Sequence, residues 1–174
     1  MALLTRGKLN GPPISAPAVE LMPGDVALAQ RGDQLRTLLG SCVSVILTDS
    51  RRTVAAMNHI VHVGAPNAIN RRNTAFGQPS MADMYAKLRS VGITPTMCQA
   101  YVYGGGNMFP HLKQERHVGS NNAHWVLDFL ENEGIHIIDH SLGGSGYRKV
   151  SWTVGQQDPV VETVLAGAEA AHVR

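Results

Sequence analysis

Between Val26 and His62 the chain is β-prone almost without interruption, and four polar residues, Asp49-Ser50-Arg51-Arg52, break the run. Short stretches rich in Val, Leu and Ile on either side of a polar break read as strands joined by a turn. Residues 26–48 read as two strands and residues 53–62 as another, so the break is the turn of a hairpin. With Ser50-Arg51 at its centre, Leu47 faces Val54, Val45 faces Ala56 and Cys42 faces His59. Directly opposed residues share a face, with Cβ atoms roughly 4.5–5.5 Å apart. The simplest hairpin therefore brings a thiol beside an imidazole. The inference depends on register, because a one-residue slip sends the two side chains to opposite faces.

The rest of the chain places this hairpin in an α+β domain. Residues 64–78 form a polar loop. Ser80 is the expected N-cap of a helix carrying Met81, Met84, Tyr85, Leu88 and Val91 at helical spacing, with Gly92 at its end. Cys98–Tyr103 reads as a strand running into Gly104-Gly105-Gly106. A second helix starts near Asn121 or Asn122 and stops at Gly134, and Ile135–Asp139 and Arg148–Val154 complete the strands. Strands outnumber helices, which predicts helices packed on a largely antiparallel sheet. At 174 residues, one folded body is expected over residues 19–154. Residues 1–18, with Gly11, Pro12, Pro13 and Pro17, read as a flexible lead-in, and residues 155–174 as a short helix or frayed tail.

Composition narrows the function. The net charge is +2, without the concentrated basic surface that nucleic acid requires. Arg51-Arg52 and Arg71-Arg72 are too short to supply one and read as solvated surface. The N-terminal segment lacks the sustained apolar stretch of a secretory signal or membrane span. Two cysteines cannot staple a disulfide scaffold, which points to the reduced cytoplasm. Gly104–Gly106 lacks the Lys of a P-loop, and no GxGxxG occurs, so nucleotide binding is not expected. Nor does a CxxC or HExxH spacing support a zinc site built on Cys42, His59 and His62. Cys98, with no such partner, reads as core.

The thiol–imidazole pair carries a specific chemistry. A thiol of pKa ~8.5 is mostly protonated at neutral pH, and a neighbouring imidazole can take its proton. Gly40 permits a tight turn ahead of Cys42, so that nearby N–H groups face a substrate oxygen and stabilise a tetrahedral oxyanion. Gly40, Ser41 and Asn58 are the expected substrate-binding or oxyanion residues. A third member must orient His59. Ser44, Thr37 and Asn58 are the polar candidates; by alternation Ser44 shares the Cys42 face and Asn58 does not.

Read together, LLGSCVSVILTD and the MNH that places His59 seventeen residues after Cys42 resemble the CheD family, chemoreceptor glutamine deamidases of bacterial chemotaxis. The resemblance continues through Tyr103-Gly104-Gly105-Gly106, Val118-Gly119-Ser120-Asn121-Asn122, Leu142-Gly143-Gly144 and Arg148-Lys149-Val150, covering residues 19–154. It implies an α/β/β/α sandwich with helices on the outer faces, Cys42 as nucleophile and His59 as general base. The implied substrates are glutamine side chains of methyl-accepting chemoreceptors. It further implies no metal or organic cofactor, and in some bacteria a CheC phosphatase partner. The family's third catalytic residue, a Thr six positions before the Cys, corresponds to Arg36; Thr37 follows one residue late and needs a β-bulge to point the same way. Val63 stands where the family has Pro, and Tyr147 where it has Gly. An adaptor that keeps the fold but binds signalling proteins is the alternative, and Arg36 is its main support.

Overall fold

The computed structural model describes residues 17–112 and 117–165. Most of the expected N-terminal lead-in and the last residues of the C-terminal tail lie outside this range. Among the described residues nine strands form two sheets. Strands β2 (Val26–Gln30), β5 (Val54–Asn58), β4 (Val43–Thr48), β6 (Gln99–Gly104) and β7 (His136–Leu142) make a five-stranded sheet in that order. Strands β1 (Val19–Leu21), β3 (Gln34–Leu39), β8 (Gly146–Thr153) and β9 (Val160–Leu165) make the other. Five of the seven strand pairings are antiparallel; β1–β3 and β6–β7 are parallel.

Burial patterns follow from this layering. β4 is buried at all six positions, as a central strand covered on both faces must be. Its odd-numbered residues Val43, Val45 and Leu47 meet helices α1 (Gly77–Ser90) and α2 (Val118–Asn132) through Met81, Met84, Leu88, Val126 and Leu130. Its even-numbered face, with Ile46, meets Leu35, Leu39, Val150 and Trp152 of the other sheet. β3 and β8 alternate buried with exposed residues, so their outer face meets solvent. The result is the expected α+β sandwich, with helices over the five-stranded sheet. Among the described residues no helix covers the outer face of the four-stranded sheet.

Several boundaries differ from the sequence expectation. Residues 26–48 hold three strands, because the chain leaves β2 through a turn at Arg31–Asp33 and changes sheet at Gly40–Cys42. α1 begins at Gly77 rather than after Ser80, whose hydroxyl is buried. A Cβ on Gly77 would sit 2.6 Å from the Trp125 ring, so glycine sets the approach of the two helices. α2 begins at Val118, capped by His117 Nδ1 accepting from Ser120 N–H at 3.1 Å. The C-terminal segment read as a short helix or frayed tail contains β9, whose Val160, Val161, Thr163 and Val164 pair with β8.

Candidate active site

The hairpin turn is longer than its simplest form. Asp49 C=O accepts from Arg52 N–H, Asp49 Oδ1 accepts from Thr53 and Val54 N–H, and Arg52 takes a left-handed conformation. Leu47 consequently pairs with Ala56, not Val54, and Val43 bridges Ile60. The register has moved by two residues, which preserves facing where a shift of one would have reversed it. His59 stands opposite Ser44, and Cys42 opposite Val61. Cys42 and His59 are diagonal neighbours on the face between the sheets, a relation that separates residues by roughly 7–8 Å. The Cys42 side chain packs against the inter-sheet core and is partly exposed, while His59 is 3% exposed. The two are not hydrogen-bonded to each other among the contacts of the described residues.

Across the sandwich, Thr37 Oγ1 lies 2.8 Å from His59 Nδ1 and donates to Leu21 C=O at 2.9 Å. The hydroxyl has one proton, and the Leu21 carbonyl takes it. Thr37 therefore accepts from His59 Nδ1–H, and Leu21 C=O stands 3.4 Å from the same nitrogen. Both contacts fix the proton on Nδ1 and leave the Nε2 lone pair free. Thr37 reaches this position without a β-bulge. Counting alternation back from Cys42 fails because the chain changes sheet at 40–42; within β3, Leu35, Thr37 and Leu39 point inward and Arg36 outward.

The loop bearing Cys42 is held through its carbonyls. Gly40 C=O accepts from Gly106 N–H at 2.9 Å, Ser41 C=O from Asn122 Nδ2 at 3.0 Å, and Cys42 C=O from Gly105 N–H at 2.8 Å. Among the described residues, Ser41 and Cys42 N–H meet no acceptor, which leaves two donors beside the thiol. Gly104 makes this clamp possible: it has a φ of 115°, and any Cβ there would run into Cys42 C=O. The Gly104–Gly106 run is thus a close-packed backbone cradle, also pressed against Gly119 of α2. The Gly143–Gly146 loop borders it, and the buried Arg148 donates to Gly104 C=O, Gly143 C=O and Ser141 Oγ.

Asn58 is not brought to this face. It is fully buried toward the helices, where Oδ1 accepts from Val45 N–H at 2.8 Å and Nδ2 donates to Met81 Sδ at 3.4 Å. Asn122, which joins Ser41 C=O to Val61 C=O, was not among the expected site residues, although the Asn121-Asn122 pair had marked the segment. Cys98 is 4% exposed in the helix-side core. No group of His, Cys, Asp and Glu among the described residues could hold a metal ion.

Electrostatics favour a neutral resting pair. Burial pushes the Cys42 thiol up. Burial also pulls the His59 imidazole down, partly offset by the Leu21 carbonyl and the Asp25 charge. The site thus presents a free imidazole nitrogen, a protonated thiol and two unclaimed N–H donors, the parts needed for attack on a carbonyl carbon.

Comparison with known proteins places these features in context. The model of the family described as CheD chemotactic sensory transduction matches residues 62–163. The chain is 34% identical over 142 residues to "Probable chemoreceptor glutamine deamidase CheD 2" of Albidiferax ferrireducens, covering 79% of this chain and 82% of that one. It is 31% identical over 144 residues to "Probable chemoreceptor glutamine deamidase CheD" of Pseudomonas syringae pv. syringae, covering 79% and 80%. A Burkholderia thailandensis protein of the former name is 29% identical over 158 residues, covering 90% and 80%.

Proposed function

The chain belongs to the CheD family, and from that premise we propose that it is a cysteine-dependent deamidase converting glutamine side chains of methyl-accepting chemoreceptors to glutamate. The observation that carries the residue assignment is the Leu21–Thr37–His59 chain of contacts, which turns a basic imidazole nitrogen out on the face that also bears Cys42. The names of the relatives supply the substrate class.

The reaction runs in two halves. His59 Nε2 takes the Cys42 proton, and the thiolate attacks the carboxamide carbon. The carbonyl π pair moves to oxygen, where Ser41 and Cys42 N–H receive it. As the tetrahedral intermediate collapses, imidazolium gives its proton to the departing nitrogen, and ammonia leaves a thioester. His59 next takes a proton from water, whose oxygen attacks the thioester carbonyl. Collapse expels the thiolate, which recovers its proton from His59, and glutamate is released. No step requires a metal or organic cofactor. The reaction takes place in the cytoplasm, where receptor signalling helices lie; no helix among the described residues is long and apolar enough to cross a membrane.

The adaptor alternative rested on Arg36, and Arg36 projects away from His59. Ammonia release from a purified chemoreceptor signalling fragment, with mass spectrometry of its glutamine-bearing peptides, tests the proposal. Cys42→Ala and His59→Ala are expected to abolish release while leaving the circular-dichroism spectrum unchanged. Undiminished release by folded Cys42→Ala overturns the mechanism. Copurification with a CheC phosphatase tests the partner that the family implies.

A further inference from the structure

Ser44 is fully buried, and its hydroxyl has no hydrogen-bond partner among the described residues. Leaving a buried hydroxyl unpaired opposes folding, and native interiors rarely tolerate it. The one other such hydroxyl among the described residues, Ser80, belongs to α1 on the far side of the five-stranded sheet. Ser44 instead sits on the inter-sheet face. It stands opposite His59 in the β4–β5 register and opposite Tyr103 in the β4–β6 register. Cys42, immediately ahead of β4, precedes it by two residues and packs on the same inter-sheet face, about 6.6 Å away at the ~3.3 Å rise per residue of extended chain. The orphan hydroxyl therefore lies beside both members of the pair.

In the resting site no acceptor among the described residues lies within hydrogen-bond distance of the Ser44 hydroxyl, and a neutral thiol is only a weak one. Transfer of the thiol proton to His59 changes that, creating a half-buried anion two residues away. Burial opposes that anion, so a donor already in place is what the site requires. The other ionisable groups around this position are His59 and Tyr103 from the flanking strands and Arg148 from the facing sheet. Asp139 lies behind Tyr103, and Asp25 acts on His59 from the β1–β2 turn.

We propose that the Ser44 hydroxyl donates to the Cys42 thiolate once His59 has taken the proton, which gives the hydroxyl a partner only in the reactive state. The inference rests on Cys42 and His59 acting as the reactive pair.

The test needs no substrate. The rate of iodoacetamide alkylation of the Cys42 peptide, followed by mass spectrometry across pH, reports the thiolate population. Ser44→Ala is expected to raise the alkylation midpoint by about one pH unit, a tenfold loss of thiolate at a given pH below it. It is also expected to lower kcat/KM on a receptor fragment about tenfold and to leave Tm unchanged or higher. Ser44→Thr, which keeps the hydroxyl, restores the midpoint. An unmoved midpoint in folded Ser44→Ala overturns the inference whatever the activity does. Retained ammonia release by Cys42→Ala overturns the reading beneath it instead, so the two failures are distinct.

Discussion

Thr37→Val is the sharpest perturbation of the proposed site. Valine matches threonine in size, so the change opens no cavity; it removes one hydroxyl from a residue 3% exposed. Two groups lose their partner, Leu21 C=O and His59 Nδ1–H. An unsatisfied buried group costs about 1–3 kcal/mol. These two already stand 3.4 Å apart and can close on each other, so the stability loss falls near the bottom of that range, at about 1 kcal/mol. The same closure draws the imidazole toward Leu21 and away from its alignment with Cys42. Losing the residue that orients a catalytic histidine costs up to ~10⁴ in turnover in serine proteases. Here the Leu21 carbonyl still selects the Nδ1–H tautomer, so the expected fall in kcat is about 10²–10³, or roughly 3–4 kcal/mol of barrier. Ammonia release under saturating receptor fragment measures the fall, and urea unfolding measures the stability. Thr37→Ser is expected to keep most of the activity, and Arg36→Ala nearly all of it. A folded Thr37→Val enzyme within threefold of wild-type turnover refutes the assignment of Thr37 to His59.

Further expectations follow from the same geometry. Asn122→Ala strips the donor from Ser41 and Val61 C=O, so it is expected to lower both stability, by about 2 kcal/mol, and kcat, as urea unfolding and ammonia release would show. Asn58→Ala is expected to cost a similar amount of stability while leaving the kcat of the folded fraction near wild type, because its bonds face the helices. The pH profile of kcat/KM is expected to show a wide plateau, with an acid limb below ~6.5 and an alkaline limb above the ordinary thiol value of ~8.5, since burial lowers His59 and raises Cys42. His59 also tilts stability: the unfolded chain binds its proton more readily than the fold does. Acidification from about 6.5 is therefore expected to destabilise the protein until the lower folded value is passed, a slope that denaturant titration of His59→Gln should lack.

What was legible in the sequence, and what was not, divides along physical lines. The shared face of Cys42 and His59 survived a wrong turn geometry, since the left-handed Arg52 and the Asp49 side chain shifted the register by an even number. Thr37 was obscured because alternation holds only within one strand, and the chain changes sheets between Leu39 and Val43. The pattern of β9, with Val160, Val161, Thr163 and Val164, suited a strand all along. Its pairing with β8, which local propensity does not reveal, is what makes it a strand. Asn58 read as polar and near the site, yet its carboxamide substitutes for a missing backbone bond to Val45 on the helix side. The Gly104–Gly106 run read as the turn at the end of a strand, whereas its first requirement is contact with Cys42 C=O.

The clamp on the Cys42 loop has a consequence for inheritance. Two of its three bonds join backbone to backbone, through Gly105 and Gly106, and do not depend on which side chains surround them. A lineage can therefore exchange most of the residues lining the sandwich and still deliver the thiol to the same place. What it cannot do is add a methyl group at Gly104 or Gly119. The Cys42 loop is in effect written in the absence of side chains, so relatives that share only a third of their residues with this chain can keep the loop through a handful of glycines.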